Sequence, residues 1–337
     1  MVYVHNMIID NRKEIFVVDK PSHLRDERID SVKFCLIFSV IAGHVFSNGL
    51  FKDSQTCDVI WHWIYIFHMP LFIFISGYFS RKKDFKGFLT SCISLIEPLV
   101  IIQIIMACLS IYSTGEFHIV KLLTPWWVLW YLLSLVFWRA ILQFLPSKIL
   151  DNAKLVVITT IIIGLVVGFL PFNRFLSLQR TFAFLPFFFV GYYMKGKSLY
   201  LPSKYRIYCI AFLIVSFAVP LFFSEYLGDL RMGDPYSSIF GLCSRMLDYG
   251  LSIPYSIAFI NACPSNKFFS KQGKYTMQYY IFHALILTCL FVVARKFGLP
   301  SNTIMASAYT LFTTLCIWIG LHIPNVDKLT NPSKFFK

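Results

Sequence analysis

Three histidines, His44, His68 and His283, stand inside long hydrophobic runs of the sequence. An ionisable side chain at that depth is costly, so each is a candidate functional residue. Burial favours the neutral imidazole, which can take a proton from a substrate hydroxyl and act as a general base in acyl or phosphoryl transfer. From the residues alone, two interpretations stay open: histidine-based group transfer, and proton-coupled transport through the same side chains.

The first histidine shares a helix face with other polar residues. Lys33 precedes His44 by eleven positions, close to three helical turns, so both side chains lie on one face about 16 Å apart along the axis. Asp30 lies one turn before Lys33 on the same stripe. We expect such a stripe to face the bundle interior or a wet cavity. The alternative is a histidine that only packs against a neighbouring helix.

The other two histidines also have polar or small neighbours. His68 precedes Pro70, which predicts a kinked helix, and the small pair at 76–77 allows close approach of another helix or of a ligand. Residues 276–283 place polar side chains at helical intervals, so they can line one face. Together these patterns predict one polar pocket. Its predicted residues besides His44 are His68, Ser76, Gly77, Tyr280 and His283.

A few further polar and aromatic residues fall in or near hydrophobic runs. Arg139 stands at the end of one run, where it can reach the membrane surface or bind an anionic donor. Weaker candidates are Glu97, Arg180, Arg245 and Asp248, the last two as an ion pair. The tryptophans Trp61, Trp63, Trp126, Trp127 and Trp130 are interpreted mainly as anchors at the membrane interface.

The elements that must position these residues are transmembrane helices. Of 337 residues, 57% are hydrophobic and only 14% are charged, whereas a soluble domain averages about 25% charged residues. We therefore predict an all-α, polytopic integral membrane protein with about ten spans in one bundle. The predicted spans are 32–50, 60–80, 88–113, 125–145, 154–172, 180–195, 205–224, 237–262, 277–297 and 302–323.

Charge placement predicts the topology. The net charge of +14 falls mainly in every second loop, as the positive-inside rule requires, so it indicates orientation and not nucleic-acid binding. The basic loops are 81–87, 146–154, 195–206 and 264–275. Both termini are then cytoplasmic. The predicted organisation is a polar arm at 1–31 without a cleavable signal peptide, one membrane domain at 32–323 and a short tail at 324–337.

The nine cysteines contain no CxxC pair and mostly lie inside spans. We interpret them as packing residues, and no metal site or bound cofactor is predicted.

The motifs resemble those of membrane-bound acyltransferase family 3, particularly its fucose O-acetylase-like branch. Five blocks occur in the family's order: RIDSVKFCLIFSVIAGH, FHMPLFIFISGYF, LWYLLSLVFWR, RTFAFLPFFFVGYYMK and GKYTMQYYIFH. The resemblance covers nearly the whole chain and implies a ten-span O-acyltransferase. Two features differ from the family pattern: Lys33 stands where many members have arginine, and the segment SCISLIEPLV lacks the basic residues that relatives usually place just before the Leu-Ile-Pro turn.

The resemblance also implies residue roles. His44 corresponds to the family's catalytic histidine, with Asp30 of the same motif grouped with it as catalytic. Lys33 and Arg139 are expected to bind the donor. Acetyl-CoA would be the acyl-donor substrate, and the acceptor would be a sugar hydroxyl of a lipid-linked or polymeric cell-surface glycan.

The location implied is the bacterial inner membrane, surrounded by lipid. The rival function is a proton-coupled transporter of a glycan or small molecule, although no internal symmetry typical of transporters is visible. A non-catalytic scaffold is a third and weaker alternative, since it needs no histidine stripe. The sequence does not name the sugar, the acyl chain or the oligomeric state.

Overall fold

The computed structural model describes residues 26–51, 54–114, 123–227, 230–324 and 326. Within these ranges the regular structure is helical and no strand is formed, which confirms the all-α fold class. The main helices are α1 (Glu27–Phe46), α2 (Gln55–Tyr78), α3 (Phe85–Thr114), α4 (Trp130–Phe144), α5 (Ala153–Val166), α6 (Leu178–Ala183), α7 (Leu185–Tyr193), α8 (Arg206–Val215), α9 (Ala218–Phe223), α10 (Phe240–Ala262), α11 (Lys267–Gly273), α12 (Thr276–Phe297) and α13 (Thr303–Gly320). Most of the predicted arm and tail lies outside the described residues.

Several helices have the length and composition of membrane spans. Among the described residues, six stretches qualify: Glu27–Phe46, Gln55–Tyr78, Phe85–Cys108, Ser203–Tyr226, Thr276–Phe297 and Thr303–Gly320. The protein is therefore a polytopic α-helical membrane protein. The other predicted spans also contain helix, including shorter apolar helices at Trp130–Phe144 and Ala153–Phe169. The count of ten crossings stays a prediction.

The first helix starts earlier than its predicted span. It begins at Glu27 because the Asp26 side chain caps it, accepting from the backbone N–H groups of Arg28 at 2.9 Å and Ile29 at 3.3 Å. Such a cap satisfies donors that have no partner within the helix. Residues 27–31 of the predicted polar arm thus belong to α1, and they place Asp30 and Lys33 on a helix that also carries His44.

Two predicted spans are interrupted helices. The sixth is divided between α6 and α7 at Phe184, and the seventh between α8 and α9 at Ser216 and Phe217. At the second break, the Trp63 indole donates to Ser216 Oγ at 2.9 Å and the Tyr255 hydroxyl donates to Ser216 O at 2.8 Å. These hydrogen bonds attach the break to α2, which carries Trp63, and to α10, which carries Tyr255.

Glycines bring α2 and α7 into close backbone contact. A Cβ added to Gly77 of α2 would overlap the backbone carbonyl of Phe188 in α7, and one added to Gly191 of α7 would overlap that of Phe74 in α2. Small residues permit this approach in membrane proteins, where packing and not water exclusion drives helix association. Of the two possibilities predicted for the 76–77 pair, Gly77 thus approaches another helix.

The helix that carries His44 lies at the centre of the bundle. In α1, 78% of the apolar stretch is buried inside the protein, compared with 33% in α3. α1 packs against α2, α11, α12 and α13. Its polar side chains therefore face protein and cavities, whereas α3 exposes much of its apolar surface.

Candidate active site

Two cavities lie among α1, α2, α4 and α12. The first, here the His44 cavity, has a volume of 1140 Å³ and is lined by His44, Tyr65, His68, Gln103, Trp126, Trp127, Trp130, Arg174, Arg180 and Arg231, among others. The second, here the Lys33 cavity, has a volume of 810 Å³ and is lined by Lys33, Ser76, Arg81, Lys83, Arg139, Gln143, Lys195 and Thr276, among others. Tyr131 and Tyr280 line both cavities. The two cavities therefore meet at this tyrosine pair.

The order of lining residues along the helices shows that the cavities are stacked along the bundle. On α1, Lys33 lines one cavity and His44, three turns later, lines the other. On α12, Thr276 lines the Lys33 cavity and Thr288 the His44 cavity, with Tyr280 between them. The cavities thus lie toward opposite ends of the same helices, and the predicted polar stripe of α1 connects them.

His44 is half-buried among aromatic rings and faces its cavity. Its Nδ1 lies 3.3 Å from the Tyr65 hydroxyl, and that hydroxyl lies 3.5 Å from Ser47 Oγ. The His283 ring stacks on His44 with centroids 5.4 Å apart, and Trp127 meets it edge-on at 4.9 Å. The imidazole is therefore held in orientation while one side stays open to the cavity.

The other two histidines are fully buried, and each has a fixed tautomer. Nδ1 of His68 lies 2.9 Å from Ile64 O, and Nδ1 of His283 lies 2.9 Å from Tyr279 O. A carbonyl oxygen only accepts, so Nδ1 must carry the proton in both rings and Nε2 is left as an acceptor. Nε2 of His283 is buried without a hydrogen-bond partner. The structure thus brings all three histidines predicted for one pocket to the same region.

Gly43 lets Tyr65 approach His44. A Cβ added at Gly43 would lie 3.0 Å from Tyr65 Cε2 and 3.2 Å from Ile64 Cγ2, which is tighter than ordinary van der Waals contact. The absence of a side chain at this position therefore allows the Tyr65 ring to lie against α1 and to reach the neighbouring imidazole. Sequence reasoning did not identify Tyr65, because its spacing resembles that of ordinary interfacial tyrosines.

The loop that carries Trp127 is attached to α3 by a buried glutamine. Gln103 Nε2 donates to Thr124 O at 3.0 Å, and Gln103 Oε1 accepts from the Trp126 backbone N–H at 2.8 Å. Trp127 itself has a φ of 36°, a left-handed conformation that is uncommon for a bulky residue. Trp126, Trp127 and Trp130, interpreted from the sequence mainly as interfacial anchors, all line the His44 cavity.

The Lys33 cavity is lined by cationic side chains from several elements: Lys33, Arg81, Lys83, Arg139 and Lys195. Arg139 is half-buried and its guanidinium donates to Ser91 O at 2.8 Å. This cavity therefore suits an anionic ligand. Both residues predicted to bind the donor line it.

Asp30 is the predicted catalytic residue that the structure separates from His44. Fourteen positions of continuous helix lie between them, or about 21 Å. The buried Asp30 carboxylate instead lies 2.7 Å from Lys33 Nζ. Asp30 therefore cannot act on the same atom as His44, and its contact is that of a charge partner which orients Lys33.

The remaining predicted pocket residues divide between the cavities and the helix contacts. Ser76 lines the Lys33 cavity, and its Oγ lies 2.7 Å from the Tyr131 hydroxyl. The Tyr280 hydroxyl donates to Val128 O. Gly77 belongs to the contact between α2 and α7. Within the described ranges, no group of three or more His, Cys, Asp or Glu side chains has an arrangement that could hold a metal ion.

The fold and this geometry define a class of protein: a polytopic membrane protein in which a histidine-lined cavity meets a cation-lined one. The family model described as an acyltransferase domain, that of acyltransferase family 3, matches residues 26–322 of the 337-residue chain. The protein therefore belongs to acyltransferase family 3, as its motifs predicted, and is a membrane acyltransferase. No match to the chain was found among curated proteins or among solved structures.

Proposed function

We propose that the protein transfers an acetyl group from cytoplasmic acetyl-CoA to a sugar hydroxyl of a cell-surface glycan or its lipid-linked precursor. Family membership supports acyl transfer over the transport that the residues alone left open. The observation that carries the proposal is the pair of stacked cavities. One is lined by cations, the other contains His44, and they meet at Tyr131 and Tyr280.

The donor enters through the Lys33 cavity. Coenzyme A carries several phosphate charges, which suit a cavity lined by Lys33, Arg81 and Arg139. Guanidinium groups bind phosphate through paired hydrogen bonds, whereas a lysine ammonium acts as a point charge. The basic 81–86 segment lies at this end, so the positive-inside rule favours a cytoplasmic opening. The thioester then extends toward the tyrosine pair and His44, with both termini and the donor on the cytoplasmic side of a bacterial inner membrane.

His44 activates the acceptor. The mechanism uses the tautomer with the proton on Nδ1, in which this nitrogen donates to the Tyr65 hydroxyl and the Nε2 lone pair is available in the cavity. Nε2 takes the proton of the sugar hydroxyl as its oxygen attacks the thioester carbonyl carbon. The carbon–sulfur bond breaks, and the imidazolium returns the proton to the CoA thiolate. Tyr65 acts here as a positioning residue.

A covalent route uses the same groups. Nε2 attacks the thioester carbonyl, the carbon–sulfur bond breaks, and the CoA thiolate leaves with an acetyl group bonded to His44. The oxygen of the sugar hydroxyl then attacks this acetyl group, the bond between the acetyl carbon and Nε2 breaks, and the released imidazole takes the hydroxyl proton. The donor enters from the Lys33 cavity and the acceptor from the His44 cavity. If the two cannot occupy the site at the same time, the covalent route is favoured because it lets them react one after the other.

Labelled acetyl-CoA added to inverted membrane vesicles tests the function. The wild-type protein should place label on glycan as an ester that mild alkali releases. His44→Ala and His44→Gln should lose at least about 10²-fold in rate, since neither side chain is a base at neutral pH. His322→Gln is the matched control, because His322 is exposed at the end of α13. Normal labelling by the His44 variants, at equal membrane protein, would reject the proposal.

A further inference from the structure

The His44 cavity is itself cationic. Arg174, Arg180 and Arg231 line it, and no Asp or Glu is among its described lining residues. Asp234 pairs with one of these arginines: its carboxylate lies 3.9 Å from Arg174, with both side chains mostly exposed. Three guanidinium groups thus line the cavity that contains His44.

Two of the arginines are held on indole faces beside one another. Arg180 Nε donates to Arg231 O at 3.1 Å. The Arg180 guanidinium lies 5.1 Å from the centre of the Trp130 ring, and the Arg231 guanidinium lies 5.1 Å from that of Trp61. Aromatic faces attract a guanidinium and fix its plane. The charges are thus positioned by the protein on the cavity wall.

Backbone strain in the described chain is concentrated around this cavity. The non-glycine residues with positive φ are Trp127, Asn173, Leu176, Ser177 and Met232. Trp127 lines the cavity, Asn173 adjoins Arg174, and Met232 adjoins Arg231. Left-handed conformations at such residues persist where the surrounding structure imposes them and cluster at ligand sites.

The position of these arginines opposes the topology signal of the rest of the chain. In the proposed orientation they lie at the external end of the bundle, where the positive-inside rule disfavours Lys and Arg. A need for positive charge at this place would explain the exception. The proposed function supplies such a need, because the acceptor must bind in the cavity that contains His44.

We infer that the glycan acceptor carries an anionic group that binds Arg180 and Arg231 while its sugar lies toward His44. This inference rests on the proposed function and adds a substrate class to it. Paired guanidinium groups match phosphate and carboxylate oxygens, and Trp127 and Trp130 provide apolar faces for a sugar ring. The anion is either the phosphate of a lipid carrier or the carboxylate of an acidic sugar.

Binding to the purified full-length protein, measured by tryptophan fluorescence and calorimetry without acetyl-CoA, tests the inference. The phosphate probe is farnesyl diphosphate with farnesol as its neutral counterpart. The carboxylate probe is trigalacturonate with maltotriose as its neutral counterpart. At least one anionic probe should bind more tightly than its neutral counterpart, and the probe that does so identifies the source. Arg180→Gln and Arg231→Gln should each weaken that binding at least about tenfold, or 1.4 kcal/mol.

Arg295→Gln is the matched control. Arg295 is an exposed arginine at the end of α12 that lies nearest the His44 cavity, but it does not line that cavity. Its binding should equal that of wild type, and thermal melting checks the folding of every variant. His44→Gln should keep the anion binding, so loss of catalysis and loss of this site are distinguishable. Equal binding of charged and neutral probes, or anion binding unaffected by both arginine variants, would overturn the inference.

Discussion

The glutamine that holds the Trp127 loop provides a quantitative test of the site. Gln103 makes two hydrogen bonds to the backbone of this loop, at 2.8 and 3.0 Å, and it is 8% exposed. Gln103→Met keeps the length and approximate shape of the side chain but removes both partners. The Trp126 N–H and the Thr124 carbonyl are then left without their glutamine partner, at a cost of about 1–3 kcal/mol each. The free energy needed to detach the loop from α3 should therefore fall by about 2–6 kcal/mol.

Hydrogen exchange measures this change directly. If the loop opens as a unit, a loss of about 2–6 kcal/mol in its opening free energy should accelerate exchange of the Trp126 amide by about 30-fold to about 2 × 10⁴-fold. Exchange in α1 and α12 should stay as in the wild type. Acetyl transfer should show a lower kcat, because Trp127 no longer holds the His44 ring from one side, while the KM for acetyl-CoA stays unchanged.

A second glutamine provides the comparison. Half-buried Gln143 binds the backbone of Lys83 in the same two-bond manner, at 3.1 and 2.9 Å, but its bonds are exposed in the Lys33 cavity. Gln143→Met should cost less, because water replaces its bonds, and any kinetic effect should fall on the KM for acetyl-CoA. Wild-type exchange at Trp126 together with wild-type kcat in Gln103→Met would refute the reasoning.

Three further substitutions test other contacts of the site. Gly43→Ala should lower kcat severalfold by displacing the Tyr65 ring from His44, and unchanged kinetics would show that the ring accommodates the 3.0 Å contact. Gly77→Leu should prevent close packing of α2 on α7 and lower the melting temperature by several degrees. A melting temperature equal to that of the wild type would contradict this prediction. Lys33→Ala should raise the KM for acetyl-CoA, with Lys33→Arg retaining substantial activity; if Lys33→Ala matched the wild type, Lys33 would be only a topology signal.

The sequence predicted those features of the site that follow from helical periodicity and from the cost of burying polar groups. Apolar composition predicted a membrane protein, and helical spacing placed Lys33 and His44 on one face of α1, which now connects the two cavities. The sequence also predicted that the three histidines share a pocket. Burying an imidazole is costly, and three separate buried sites would carry this cost three times. These inferences need only the period of the helix and the cost of burying polar groups.

Individual hydrogen bonds and ion pairs between side chains and distant backbone were not predicted. Gln103 is an ordinary polar residue of α3 until the 124–126 backbone is seen to bind it. Asp30 matched a motif position, but the sequence did not show that its carboxylate is buried against Lys33 Nζ. Trp127 was taken for an anchor because composition cannot distinguish an indole facing lipid from one facing a cavity.

The arginines at the His44 cavity illustrate why charge statistics alone are insufficient. Arg180 was a weak candidate before a short span, and Arg231 lies in a loop with acidic residues that gave no site signal. They come from segments 51 residues apart and are joined by the bond from Arg180 Nε to Arg231 O. The positive-inside rule compares the total Lys and Arg content of loops, so it gives no information about the role of a single arginine. In the folded chain both arginines line the cavity that contains His44, the residue that corresponds to the family's catalytic histidine. These two exceptions to the positive-inside rule therefore indicate the charge of the proposed acceptor.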